Sequence, residues 1–538
     1  MAARFWVTGG TGNWNDTSNW SLLSGSISGA SVPGSGDTAT FDAASGSGTA
    51  TLDISPDIQT LTMTGFTGTL AFGTNTISLN STGTIFTGAT TMTVTGTPLI
   101  ICTNSSATAR TISPGAVTEA NSISFRITAG TGTLSLGTAG TYRNLDFTDG
   151  TNPTGYAGAL GGGSITVYGN FKASTGMTQS PVANTITFAA TSGTKTIDTA
   201  GVTFDRPFTF NGVGGTWQLQ AALTSGATRT CTLTNGTLDL NGYTLTTGGF
   251  SSTNSNTRTL AFGSTGKIVA TTNNGTVCVT STATGLTVTG SRRVELNYSG
   301  SVGTRTISGA LTATVIEGVN LLDYYITAGT DTIFFTASRS YGDVDFSNGG
   351  TSTFAGSLSA VTNTTAIYGN LILNSAMSLG SGTDVVQMKA TSGTKTITSA
   401  GKTLDFPLTF DGIGGTWSCT DALTLGSTRA LTMTNGTLRL AAGTTSTVGS
   451  FVTSGTNPKF LLSATPGTPA TISDASGTNT VSYLTVQDNI ATGGAVWDAL
   501  DITNVDAGDN TGWLFSTTPS IGNEITMRLR SFTQPRRF

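Results

Sequence analysis

The chain has 538 residues and a net charge of −4, and only 10% of its residues are charged, against roughly 25% in ordinary globular proteins. That balance excludes a broad basic field for nucleic acid, and normal hydrophobicity with so few charges excludes intrinsic disorder. Histidine is absent, which removes Ser-His-Asp and Cys-His nucleophiles and every histidine metal site.

In chain order, residues 1–58 read as an N-terminal cap. Trp6, Trp14 and Trp20 crowd into it, and a stack of strands needs its first open edge covered. An aromatic platform for sugars is the alternative use of those rings. Residues 59–141 read as a first solenoid segment. Leu61/Met63, Leu70/Phe72 and Ile77/Leu79 are apolar i, i+2 pairs separated by Gly, Thr and Asn, the alternation of short strands with one face inward.

Residues 142–340 and 341–482 read as two copies of one repeat. TSGTKTIDTAGVTFDRPFTFNGVGGTW from Thr191 returns from Thr391 as TSGTKTITSAGKTLDFPLTFDGIGGTW, and about 32 of the 50 positions from 191 to 240 are identical at a shift of 200. Tyr142-Arg-Asn-Leu-Asp-Phe returns as Tyr341-Gly-Asp-Val-Asp-Phe, and ITAGT begins at both Ile127 and Ile326. Trp217 and Trp417 are repeat equivalents. Cys231 is matched by Leu431 and Cys419 by Leu219, so with Cys102 and Cys278 these read as small buried apolar residues. The pairs Cys231/Leu233, Leu238/Leu240 and Tyr243/Leu245 continue the inward beat, and Asn-Gly at 235–236, 241–242 and 435–436 supplies positive φ for corners.

The fold expectation is therefore all-β, a β-solenoid of some 20 coils of about 20–25 residues with capped ends. Tandem β-sandwich modules are the runner-up; they call for longer crossovers and clear linkers. Residues 483–516 read as a C-terminal cap around Trp497 and Trp513. Residues 517–538 form a basic tail holding four of the chain's 24 Lys and Arg: Arg528, Arg530, Arg536 and Arg537. With Phe532 and Phe538 as apolar pegs, this tail is the candidate anchor on an acidic face of a partner, or else a frayed soluble terminus.

Catalysis without histidine needs paired carboxylates, for which Asp146/Asp149, Asp343/Asp345 and Asp498/Asp501 are the candidates. Asp146 and Asp345, being repeat equivalents, read more simply as turn residues. The run Asp498, Asp501, Asp506, Asp509 offers oxygen ligands for calcium but matches no EF-hand spacing. No catalytic residue, cofactor or metal is expected. No apolar signal core opens the chain and no segment has the length to cross a bilayer, so a protein that folds in the cytoplasm and leaves by lysis is expected, with no membrane partner.

The opening Phe5-Trp-Val-Thr-Gly-Gly-Thr-Gly-Asn-Trp-Asn-Asp-Thr-Ser-Asn-Trp, with Pro33, Asp37, Phe41 and Asp42, resembles the start of repetitive structural proteins of bacteriophages; related openings occur in autotransporter-like surface proteins. Ala491-Thr-Gly-Gly-Ala-Val-Trp and Asn510-Thr-Gly-Trp-Leu-Phe are similar to the ends of the same phage proteins. The resemblance covers about 60 residues at each end. It implies a non-enzymatic virion component, a capsid decoration or a tail fibre, whose partners are capsid or tail proteins and a host-surface glycan; a homotrimer is expected from the side-by-side support that such rods give one another. A bacterial adhesin and a tailspike polysaccharide depolymerase are the alternatives.

Overall fold

The computed structural model describes residues 2–151, 153–272, 274–300, 303–311, 315–336, 338–359 and 364–516. The chain is a β-solenoid of about 20 stacked turns, with 48% of residues in strands and 2% in helix. Its described residues pack as two units, one within Met1–Thr272 and Thr284–Arg293, the other within Asn273–Ala283 and from Val294 onward. The rungs pair in parallel, which replaces the antiparallel meander that a β-sandwich requires.

In the first unit one lateral sheet shows how alternation becomes a core. Ala39, Leu61, Phe86, Ile112 and Leu136 sit in register on successive rungs and are fully buried. Their neighbours Thr40, Thr62, Thr87 and Ser113 make a second column that faces outward. Each buried aliphatic or aromatic side chain contributes about 1.5–3 kcal/mol, and β-branched threonine suits the pleated outer face. Rungs are joined by side chains as well. The Arg126 to Asp146 bond reaches 20 residues on, and Asn374 to Phe346 reaches 28 residues back in the second unit.

The second unit repeats the logic. Val386, Leu408, Leu431 and Phe451 form one inward column, and Trp417, Leu438, Leu461 and Val486 another. The duplicated strands Phe208–Leu219 and Leu408–Cys419 place Trp217 on Leu238 and Trp417 on Leu438 in matching registers. Corner asparagines stack as well. Asn235 Nδ2 donates to Asn211 at 2.7 Å, and Asn435 Nδ2 to Asp411 at 2.8 Å. Gly236 follows with φ +73°, and an added Cβ would lie 2.3 Å from the Gly212 carbonyl, so the corner needs glycine twice over.

Three features differ from or escape the sequence reading. Tyr243 is 40% exposed, although the i, i+2 beat pairs it with buried Leu245. Asn241 and Gly242 both take positive φ, and the Tyr243 N–H closes that turn onto Leu240 O at 2.8 Å, so the strand begins only at Thr244. Four arginines, Arg110, Arg206, Arg258 and Arg305, lie inside the solenoid. And Glu119 reaches across the rungs to accept the N–H and hydroxyl of Thr191, as Glu317 does for Thr391, so two of the four glutamates are repeat-equivalent struts.

Candidate functional site

The cap tryptophans are interior. Trp6, Trp14 and Trp20 are at most 1% exposed, pack edge-on against one another and surround Phe41, with Trp20 Nε1 donating to Trp14 O at 2.8 Å. The strand Trp20–Ser21 runs antiparallel to Ala2–Trp6 and covers the edge that the first turn leaves open. At the other end Trp497 and Trp513 are in register, their rings 5.0 Å apart, and both contact Phe451. Their indole nitrogens donate to Thr492 O and Asn489 Oδ1. Rings so enclosed offer no face for sugar stacking. The anchor candidates Arg528, Arg530, Phe532, Arg536, Arg537 and Phe538 lie outside the described residues.

The carboxylates serve turns or, at Asp343, the neighbouring rung. Asp146 accepts from the Thr148 N–H and hydroxyl, and Asp345 likewise from Ser347. Asp149 accepts from Thr151, Asp343 from Asn370, and Asp498 from the Leu500 N–H. The hydroxyl and N–H of Thr503 hold the Asp501 carboxyl below its usual pKa. No group of three or more His, Cys, Asp or Glu among the described residues could hold a metal ion. No helix among them is long and apolar enough to cross a membrane. Cys102, Cys231 and Cys419 are buried and free, their thiols pushed up by desolvation, Cys102 and Cys419 to about 12.

Sequence reasoning missed a groove of about 530 Å³ in the first unit, running over several rungs between Thr74 and Thr196. Its floor is a hydrogen-bonded column. Asn144 Nδ2 donates to Ser124 Oγ, Asn144 Oδ1 accepts the Asn170 N–H at 2.7 Å, and Asn170 Oδ1 accepts the Thr196 N–H at 2.8 Å. Above it stand Arg126, Arg143 and Lys172. Arg126 Nε donates to Asp146 at 3.0 Å, and Arg143 donates to Ala120 O at 3.0 Å. The Lys172 side chain has no hydrogen bond or ion pair among the described residues, although Asp146 and Asp198 flank it in register. Asp198 accepts its own Ala200 N–H instead. Of the lining residues Asp146 alone carries a carboxylate, so the groove holds three cations against one anion.

No protein-family model matches the chain, and neither a curated protein nor a solved structure matches it. The internal copy takes their place for reading the groove. In the second unit the floor is kept: Asp343 accepts from Asn370, and Asn370 Oδ1 accepts the Thr396 N–H. The cations are not kept. The register column Arg126–Asp146–Lys172–Asp198 becomes Tyr325–Asp345–Ile372–Thr398, and Gly342 stands where Arg143 did. At the positions that match Arg126, Arg143 and Lys172 the second unit carries no cation, and Asp323 and Asp343 stand where Ser124 and Asn144 did. That difference is written in the sequence, at the charged positions of the two units.

Proposed function

We propose that this chain is a non-enzymatic structural protein of a bacteriophage virion, a β-solenoid decoration or fibre that projects from the particle to stabilise it or to meet the host. The observation that carries the reading is the sealing of the stack. Trp6, Trp14 and Trp20 close its first turn, Trp497 and Trp513 pack in its last described rungs, and the rungs between them are given over to packing columns and hydroxyl ladders. Terminal caps are what a free-standing repeat array needs to remain soluble. The carboxylates that glycoside cleavage would use cap turns, and the groove offers one where two are needed. The virion context comes from the opening and closing motifs, and the trimer from the side-by-side support that such assemblies give one another.

The test is quantitative mass spectrometry of purified particles. Hundreds of copies assign the chain to the capsid, and a few to a few tens assign it to the tail. Absence from particles together with detection on intact uninfected cells replaces this reading by the adhesin. Light scattering of the purified chain should give three times 54.5 kDa. Viscosity loss from a host polysaccharide on adding the protein would defeat the non-enzymatic part.

A further inference from the structure

The cationic groove is the one feature that a purely structural role leaves unused. We propose that it binds an anionic glycan, a sugar chain bearing carboxylate or phosphate groups, with Lys172, Arg143 and Arg126 meeting the charges and the Asn–Thr floor meeting hydroxyls. The inference needs only the groove and holds whether or not the chain belongs to a virion.

Three observations carry it. First, the cations have donors to spare. The Lys172 ammonium is unpartnered among the described residues, Arg143 uses one nitrogen on the Ala120 carbonyl, and Arg126 uses Nε on Asp146. A guanidinium with free terminal nitrogens is suited to a planar carboxylate or a phosphate. Second, the cations are not needed to build these rungs. The second unit keeps the Asn370–Thr396 part of the floor and the same strand register with Tyr325, Gly342 and Ile372 in their places, and with Asp343 and Asp323 at the Asn144 and Ser124 positions. An alternating ion-pair ladder would explain Arg126 and Asp146, but it does not explain Lys172, whose flanking carboxylates are turned to Arg126, Thr148 and Ala200. Third, the lining selects among polyanions. Its one aromatic ring, Phe125, is fully buried, so bases find no surface to stack on. The strands beneath it are paired on both sides, so a peptide finds no edge to extend. Hydroxyl and amide side chains with sparse cations match a sugar polymer. The volume lies within the usual range of ligand pockets.

The sister copy also supplies the variant. Arg126→Tyr, Arg143→Gly and Lys172→Ile together install residues that this repeat already accommodates, and unchanged circular dichroism with an unchanged melting temperature is the check that the fold is kept. Binding of the full chain is measured by calorimetry to alginate oligosaccharides (carboxylate), poly(glycerol phosphate) (phosphate), dextran (neutral) and a single-stranded oligonucleotide. One or both anionic glycans should bind, more weakly as salt rises, and which one does names the source of charge. The triple variant should lose about tenfold or more in affinity, and Lys172→Ile alone about threefold. The proposal is overturned if neither anionic glycan binds more tightly than dextran, if the triple variant binds as well as the parent, or if the oligonucleotide binds more tightly than both.

Discussion

Arg110 in the first unit and Arg305 in the second stand at the head of the same Arg-Thr-Ile-Ser strand, and both guanidiniums are buried. Each lies against a glycine of positive φ, Gly130 or Gly329, where an added Cβ would fall 2.3 or 2.5 Å from the arginine's terminal nitrogen. Their neutralisation differs. Arg110 donates to the carbonyls of Asn104 and Ala129 and sits over the Tyr156 ring at 5.5 Å, and burial holds its pKa below the usual value. Arg305 holds Asp331 with two nitrogens at 2.8 Å, in a pair whose side chains are both 0% exposed. Two compensating changes separate the units. Asp331 stands where the first unit has Gly132, and Phe354 where it has Tyr156. The Tyr156 hydroxyl, which accepts the Leu134 N–H and contacts the carbonyls of Gly132 and Ala159 at 2.8 Å, is lost where the carboxylate appears. Arg305 also donates to the carbonyls of Leu296 and Ala328 and lies over the Phe354 ring at 5.7 Å, so a solenoid interior can enclose a cation with carbonyls and a ring alone or with an ion pair added to them.

The sharpest test of that contrast is Arg305→Met. It leaves the Asp331 carboxyl without its partner in a dry interior and should cost about 3–5 kcal/mol, whereas Arg110→Met leaves carbonyls short of a donor and should cost about 1–3 kcal/mol. Urea midpoints followed by tryptophan fluorescence compare the two. Adding Asp331→Leu to Arg305→Met should recover most of the loss, since replacing both partners removes the orphaned charge. Equal costs at the two arginines would show that the carboxylate is not what separates the units.

Next in size is Tyr156→Phe, which gives the first copy the ring of the second. The Leu134 N–H loses its acceptor, at about 1–3 kcal/mol. Adding Gly132→Asp should not rescue it, because a Cβ at 132 would meet the Thr108 carbonyl at 2.3 Å. A double variant that regains the parent midpoint would mean that the two interiors are interchangeable piece by piece.

How much of this was legible in sequence depends on the kind of signal. Alternation at Leu61/Met63 or Cys231/Leu233 announces strands because an inward column needs only period two, and the duplication announces repeated rungs. The buried arginines were not legible. A lone Arg in a Thr-rich strand reads as surface, and only the rung below it, with Gly130 or Gly329, makes room inside. Tyr243 misleads for a related reason, since its φ-positive neighbours move it from strand to corner. The groove is intermediate. Its residues come from turns about 20–26 positions apart, so no local motif exists, yet the loss of three cations in the sister copy is written in the sequence.

Smaller and pH-dependent is the effect of the buried thiols, Cys102 in one unit and Cys419 in the other. Desolvation raises both from their usual 9.0 to about 12. Folded chains therefore keep these protons after unfolded chains lose them. Their contribution to stability is whole below pH 9 and falls as pH rises from 9 towards 12, by about 1 kcal/mol per thiol at pH 10. Cys419→Leu, which installs the sister residue Leu219, should remove its share of the alkaline loss. Native protein should resist iodoacetamide at pH 8 at both positions, and rapid alkylation there would mean that the rungs open far more readily than their packing implies.

The smallest expected effect is at the outer column. Arg126→Tyr removes an ion pair whose side chains are 33% and 20% exposed, and such pairs contribute about 0.2–1 kcal/mol. Asp146 keeps its bonds to the Thr148 N–H and hydroxyl, the same turn that Asp345 makes with Ser347 beside Tyr325. The urea midpoint should therefore stay within about 1 kcal/mol of the parent, while arginine removal inside the stack costs several times that. The same residue type then serves two ends: at Arg305 it holds the rungs together, and at Arg126 the fold can dispense with it. A loss above about 2 kcal/mol for Arg126→Tyr would put the outer cations among the elements that build the solenoid, and the groove would no longer need a ligand to explain them.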